Sequence, residues 1–206
     1  MKKIAIALAT AMVLAMGCLL VGCSEESPSD VTKTYLDALK SKDSDAYAKV
    51  YADGATNPLD GKTLLNVDSS KTTDTQKEVL GEMLDKVLDF DYTIGEEKVS
   101  DDKATVDVTV KTYQFGDAFT KAFKSYFSKA MASGMTDTTE LSDLMMECFS
   151  DELDKLKDKS YEKTVTFNLT NTDDGWTIDE LSDAQVNALM GGIEDSMKTL
   201  ESKMSE

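Results

Sequence analysis

The sequence predicts an α+β protein in which an antiparallel sheet of about four strands packs on N-terminal helices, with a helical insertion between two hairpins and a C-terminal helix. Two observations carry this prediction. Hydrophobic residues alternate with polar ones in two separate regions, 90–110 and 165–178, which is typical of half-buried strands. Before, between and after these regions, hydrophobic residues recur at helical spacing instead.

Three helices are predicted before the first strand. The first begins near Pro28, which suits the first helical position and is followed by the acidic Asp30. A second helix starts at about Asp43, and a third covers 74–89 after a long irregular connection, 55–72. The third helix carries a hydrophobic stripe wide enough to be buried beneath a sheet. Its members are Val79, Leu80, Met83, Leu84, Val87 and Leu88.

The two alternating regions each predict a hairpin with one solvent-exposed face. The first hairpin turns at 100–103 and the second at 171–175, where Asp and Gly favour a tight turn. The residues predicted to point inward are Phe90, Tyr92, Ile94, Ala104, Val106, Val108, Val110, Val165, Phe167, Leu169, Trp176 and Ile178.

Residues 115–158 form the predicted helical insertion, in which Gly134 separates two hydrophobic runs. The first run has an aromatic stripe, and the second places Cys148 on its hydrophobic side. The final helix is predicted to open at Ser182 and to be broken by Gly191 and Gly192, because each glycine costs about 1 kcal/mol relative to alanine in a helix.

The N-terminus has the pattern of a secretory signal peptide. Lys2 and Lys3 precede an uncharged, largely apolar stretch, 4–21. The positive charges favour retention of this end on the cytoplasmic side, so the remainder is expected to be extracytoplasmic. An uncleaved membrane helix is an alternative, because the stretch is near the lower length limit for a spanning segment.

Leu20, Val21, Gly22 and Cys23 resemble the lipobox that closes the signal peptide of bacterial lipoproteins. The resemblance implies diacylglycerol on the Cys23 sulfur and cleavage between Gly22 and Cys23, which would hold the protein at the outer face of the cell membrane. Two acyl chains suffice for a stable anchor. Cys18 is a second possible lipobox cysteine, although Ala15 and Met16 fit the pattern less well.

The predicted organisation is a signal peptide over 1–22, a tether over 23–30 and a single domain over 31–206. Removing 22 of the 206 residues leaves 184, enough for one domain with a substantial core. Cys148 is then the remaining thiol, so no internal disulfide is expected, and its position on a hydrophobic helical face predicts a buried, unreactive side chain.

The composition excludes several kinds of chemistry. The net charge is −17, and loss of Lys2 and Lys3 would change it to −19, so no nucleic-acid partner is expected. The 22 basic residues are all lysine and histidine is absent. The chain therefore has no Ser-His or Cys-His dyad and no arginine clamp for phosphate.

The opening "PSDVTKTYLDALKSKDSDAYAKVYADG", the helix before the first hairpin and the strand ending "DDGWTID" resemble exported bacterial lipoproteins of the nuclear transport factor 2-like superfamily. The resemblance covers residues 31–182. It implies a curved antiparallel sheet wrapped over helices as a cone, often with a pocket at the mouth. The insertion departs from the usual succession of strands and is open to three interpretations: a lid, a plug or a docking arm.

Motifs with catalytic potential are weak. Ser100 with Lys103 and Ser160 with Lys163 have Ser-x-x-Lys spacing, but neither pair is predicted to start a helix, as the serine acyltransferase motif requires. The 173–175 segment lacks calcium-loop spacing and is predicted to be a turn. No metal, cofactor or catalytic residue is predicted. A hydrolase that uses paired carboxylates is a remote alternative.

We therefore expect a binding or interaction module. The candidate pocket residues are the aromatic side chains Tyr35, Tyr51, Tyr92 and Trp176, each of which could equally be core. The alternative is an assembly factor that docks an envelope protein through the inserted helices. An exposed apolar patch on Phe119, Phe123 and Phe127 would favour docking, whereas a buried stripe beside a cavity would favour binding of a small ligand.

Overall fold

The structure, a computed structural model, describes residues 26–52 and 73–205. Seven helices and four strands follow one another in this part of the chain. In order, they are α1 (Pro28–Ser41), α2 (Ser44–Val50), α3 (Asp74–Leu88), β1 (Asp91–Ser100), β2 (Lys103–Thr112), α4 (Phe115–Ser133), α5 (Thr138–Leu153), β3 (Tyr161–Thr172), β4 (Gly175–Ile178), α6 (Asp183–Leu189) and α7 (Ile193–Met204).

The α+β fold class is confirmed. The four strands form one antiparallel sheet in the order β1-β2-β3-β4. The helical insertion therefore leaves β2 and β3 adjacent, and they pair along their lengths from Lys103 with Thr170 to Thr112 with Tyr161. A register shift between Ile94 and Glu97 marks a bulge in the edge strand β1, which bends the strand and interrupts its pairing edge.

The first helix begins inside the segment predicted to be a tether. Ser27 is the N-cap of α1, and its side chain and that of Asp30 form a reciprocal capping box that satisfies two backbone N–H groups. Pro28 occupies the first turn and is buried. Ser27 and Pro28, within the predicted tether, therefore belong to the first helix.

A first hydrophobic core lies between the sheet and helices α1, α2 and α6. The inward side chains of β2 alternate with outward ones as predicted: Val106, Val108 and Val110 are fully buried. Tyr35 and Leu36 of α1 and Leu189 of α6 pack against this face of the sheet. The sheet thus has one buried face, which fixes its register because a one-residue slip would expose every valine.

The insertion builds a second hydrophobic core with α3 and α7. Phe115 and Leu153 of the insertion are fully buried beside Val87 of α3 and Ile193 of α7. The stripe on α3 is divided between the two cores, with Leu88 in the first and Val79 in the second, so α3 lies against inserted helix α5 rather than simply beneath the sheet. The inserted helices are thus an integral part of the folded body.

The predicted break in the C-terminal helix is confirmed. Gly191 and Gly192 have φ values of 54° and 80° and separate α6 from α7. A side chain at these positions would also clash with neighbouring atoms. A Cβ on Gly191 would overlap the Tyr113 carbonyl oxygen, and a Cβ on Gly116 of α4 would overlap the Gly192 carbonyl oxygen and Ser196 Oγ.

The signal peptide over 1–22, the cleavage site at Gly22 and Cys23, and the alternative Cys18 lie outside the described residues, as does the connection 55–72. Within the described ranges, each helix is too short or too polar to cross a membrane.

Candidate ligand-binding groove

A groove with a volume of about 430 Å³ opens where the start of α1, the end of α2 and the β3–β4 turn meet. Val31 and Val50 of its lining are buried, whereas its charged lining side chains are exposed and are called its rim. The residues that line it are Glu26, Val31, Thr34, Ala46, Lys49, Val50, Asp174, Gly175 and Trp176. Its volume falls within the range of about 300–1,000 Å³ that is usual for small-ligand sites.

Backbone pairing holds α2 beside the sheet and so places two walls of the groove. The Ala52 N–H donates to the Ile178 carbonyl oxygen at 2.8 Å, and Tyr51 forms a parallel bridge with Ile178. The Tyr51 hydroxyl also accepts a hydrogen bond from the Leu181 N–H at 3.0 Å. Because of these contacts, Lys49 lies on the same groove as Trp176 of β4.

The β3–β4 turn presents Asp174 at the rim. Thr172 Oγ1 accepts a hydrogen bond from the Asp174 N–H at 3.3 Å and donates one to the Gly175 carbonyl oxygen at 3.0 Å. Gly175 has a φ of 108°, a conformation that favours glycine. The Asp-Gly pair therefore serves the turn, as predicted.

A second, more open depression continues along α1. It shares Thr34 and Ala46 with the groove and extends to Asp37 and Lys40. Asp37 Oδ2 accepts a hydrogen bond from Lys33 Nζ at 2.5 Å, and its Oδ1 accepts one from the Tyr92 hydroxyl at 2.5 Å. These hydrogen bonds, that from Lys33 first, lower the pKa of Asp37, so this carboxyl is held ionised.

The same contact has the opposite effect on Tyr92. Burial, and then the hydrogen bond to Asp37, raise the pKa of this hydroxyl well above its ordinary value. The Lys40 ammonium lies 5.8 Å from the Tyr92 ring centroid and 5.6 Å from that of Phe90. The side chains of Asp37, Lys40 and Tyr92 at this end of α1 therefore contact one another.

The structure places the four predicted pocket aromatics in three different settings. Tyr35 is fully buried and stacks on Tyr51, with ring centroids 5.5 Å apart and an interplanar angle of 15°. Both belong to the first core, where burial raises the pKa of Tyr51. Tyr92 lies at the far end of α1, and Trp176, half-buried, lines the groove. The prediction paired a groove residue with core residues because aromatic side chains suit both settings.

Sequence reasoning missed the charged rim of the groove, whose members in the described part of the chain are Glu26, Lys49 and Asp174. None of the three stands out in an acidic chain rich in lysine. Within the described ranges, their side chains form no ion pair. The available signal was Asp174 in a turn beside the single tryptophan of the sequence.

The other singled-out residues lie where a structural role is sufficient. Ser100 pairs with Lys103 across the first hairpin, and Ser160 and Lys163 flank the start of β3, so neither serine begins a helix. Cys148 is 1% exposed, as predicted, with its Sγ 3.7 Å from Ser125 Oγ. In the described part of the chain, no cluster of acidic or cysteine side chains could hold a metal ion.

The aromatic stripe of the insertion is only partly exposed. Phe119 packs edge-on against Phe149, and Phe123 is half-buried beside Tyr126. Phe127, by contrast, is 56% exposed, and Met131, one turn further along α4, is 72% exposed.

The molecule belongs to the α+β class with a four-stranded antiparallel sheet and a terminal helix. Comparisons with protein families and with curated protein sequences found no match. Among solved structures, the chain is similar to the predicted lipoprotein ycdA of Bacillus subtilis, with 17% identity and a TM-score of 0.51. The match covers 79% of this chain and 55% of that one, so this chain spans about half of that protein's length. The likeness concerns the fold alone, and the nuclear transport factor 2-like resemblance stays a prediction.

Proposed function

We propose that the protein is a lipoprotein, anchored at the extracytoplasmic face of the cell membrane through diacylglycerol on Cys23, whose groove beside Trp176 binds a small ligand. The observation that carries the proposal is the position of Glu26. This residue lines the groove and lies three positions after Cys23, so an anchor at Cys23 would lie close to the groove.

A binding role without catalysis fits the side chains that are present. Histidine and arginine are absent from the sequence. A carboxylate-dependent hydrolase needs one carboxyl group with a raised pKa as its general acid. Hydrogen bonds from lysine and tyrosine instead lower the pKa of Asp37 and of Asp89. Both groups are therefore suited to accept hydrogen bonds rather than to donate a proton.

A second role, docking of an envelope protein, is favoured by one observation. Phe127 and Met131 form an exposed apolar surface on α4, distinct from the groove lining. If the protein docks an envelope protein, this surface is where the partner would bind. Replacing both residues by serine should then abolish co-purification of a specific envelope protein. The same variant should leave ligand retention by the groove unchanged.

The test of the main proposal is mass analysis of the intact protein from membranes of a bacterial host. We expect a chain that begins at Cys23 and carries diacylglycerol. Cys23→Ala should abolish this modification and release the protein from the membrane fraction. Cys18→Ala is the matched control and should leave both unchanged. An unmodified Cys23, or modification at Cys18, would contradict the assignment.

Ligand binding is tested on the same material. Native mass spectrometry of the lipidated protein in neutral detergent should show a bound small molecule that Trp176→Ala reduces. Retention that is equal in the variant would exclude the groove as the binding site.

A further inference from the structure

The groove lies within reach of the phospholipid headgroups if the anchor is at Cys23. Glu26 is three positions after Cys23, and an extended chain over three positions spans at most about 11 Å. The described fold starts immediately afterwards, since Ser27 caps α1. The headgroup layer of each leaflet is itself about 5–8 Å thick. If the anchor is at Cys23, Glu26 can therefore lie within the headgroup layer or just beyond it.

The rim of the groove carries both signs of charge. Among the described residues that line the groove, Lys49 of α2 contributes one positive charge, whereas Glu26, just before α1, and Asp174 of the β3–β4 turn contribute two negative charges. A purely anionic ligand would meet two carboxylates, and a purely cationic one would meet the lysine. A dipolar ligand can pair its phosphate with the lysine and its ammonium group with the two carboxylates, so all three charged side chains gain a partner of opposite charge.

The remaining lining suits the same kind of ligand. The indole ring of Trp176 can receive an ammonium group on its face, and tryptophan is favoured at the headgroup level of membranes because its ring is amphipathic. Val31 and Val50, both buried, supply an apolar floor against which a glycerol backbone can pack. Phosphate, ammonium and glycerol together describe one chemical group.

We infer that the groove binds the zwitterionic headgroup of a phospholipid from the leaflet in which the protein is anchored, with the phosphate on Lys49 and the ammonium group between Trp176, Glu26 and Asp174. The inference rests on the proposed function, because the anchor at Cys23 is what brings the groove to the lipid. The acidic surface of the protein repels anionic lipids, so a headgroup without net charge is also the one that can approach.

The experiment titrates soluble headgroup compounds into the full lipidated protein in neutral detergent and follows the fluorescence of Trp176, the single tryptophan of the chain. We expect a saturable spectral shift with glycerophosphoethanolamine or glycerophosphocholine. Glycerol 3-phosphate lacks the ammonium group and ethanolamine lacks the phosphate, so each should bind about two- to fivefold more weakly.

Variants test which charged side chains of the groove bind the ligand. Lys49→Gln and the double variant Glu26→Gln with Asp174→Asn should each weaken binding of glycerophosphoethanolamine by about two- to fivefold. Lys203→Gln with Glu201→Gln, exposed positions on α7, is the control pair and should bind as the unaltered protein does. Circular dichroism verifies that all variants are folded.

Three results would overturn the inference: no spectral shift with either zwitterionic compound, equal affinity for glycerol 3-phosphate or ethanolamine, or unchanged binding in both rim variants. These results are distinguishable from failure of the proposed function. An unmodified Cys23 removes the anchor, and a different small molecule retained by a lipidated protein keeps the proposed function while excluding the headgroup.

Discussion

The hydroxyl of Tyr51 accepts a hydrogen bond from the backbone N–H of Leu181 at 3.0 Å, joining residues 130 positions apart in the sequence. The contact is buried and connects the end of α2 with the segment that leads from β4 to α6. It holds α2 against the sheet, and α2 forms one wall of the groove. Tyr51, which the sequence suggested as a pocket residue, thus lies in the core and holds one wall of the groove in place.

Tyr51→Phe removes this acceptor and leaves the buried Leu181 N–H without its partner. We expect a loss of about 1–3 kcal/mol in the free energy of unfolding, measured by urea denaturation. Tyr113→Phe is the control, because the Tyr113 hydroxyl donates to Asp89 at the surface, where water can replace the partner. Equal losses in the two variants would contradict the role given to Tyr51.

The glycines at the junction of α4 and α7 should resist substitution. Gly116→Ala places a Cβ against the Gly192 carbonyl oxygen and Ser196 Oγ, so we expect a loss of about 3 kcal/mol or more. Gly81→Ala is the matched control in helix α3, where a Cβ meets open space. It should stabilise the protein by about 0.5–1 kcal/mol, as thermal unfolding can show.

Deleting side-chain volume from the second core tests whether the insertion folds together with the sheet. Leu153 is fully buried, so Leu153→Ala should lower the stability of the whole domain by about 2–5 kcal/mol. Met131→Ala, at a position that is 72% exposed, should change it by less than about 0.5 kcal/mol. Tyrosine and tryptophan probes should report a single transition. Separate transitions for Trp176 and for the insertion would show that the two cores are independent.

We expect acid to weaken the contact between Asp37 of α1 and Tyr92 of β1. The pKa of Asp37 is lowered from its ordinary value of 3.8 by hydrogen bonds from Lys33 and Tyr92. A carboxyl group with a lowered pKa in the folded state stabilises the protein above pH 3.8, and this stabilisation is lost as the pH falls through the folded value. Asp37→Asn should therefore be less stable than the unaltered protein at neutral pH, and the difference should shrink below pH 3.8. Glu201→Gln serves as a control, and an Asp37→Asn difference that is constant with pH would contradict the assignment.

The sequence predicts the fold well because burial imposes a period on each element. Val106, Val108 and Val110 alternate, and one face of the sheet is buried. Gly191 and Gly192 interrupt a helical pattern, and the chain turns there. These features depend on neighbours in the sequence, so a local pattern is sufficient to predict them.

The candidate site was harder to predict because it is made of residues from distant parts of the chain. Tyr35 stands on the same helical stripe as Val31 and Leu39, a pattern that indicates core as readily as pocket. Lys49 and Asp174 line the same groove because residues 51 and 52 pair with Ile178. That pairing has no local signature in the sequence.

The most direct test of the account is the position of Trp176 relative to the bilayer. The lipidated protein is reconstituted into vesicles that contain a lipid with a quencher in its headgroup, and the fluorescence of the single tryptophan is measured. We predict strong quenching that disappears when Cys23→Ala protein is mixed with the same vesicles. Unquenched fluorescence from protein that is demonstrably anchored through Cys23 would place the groove away from the membrane and contradict the account.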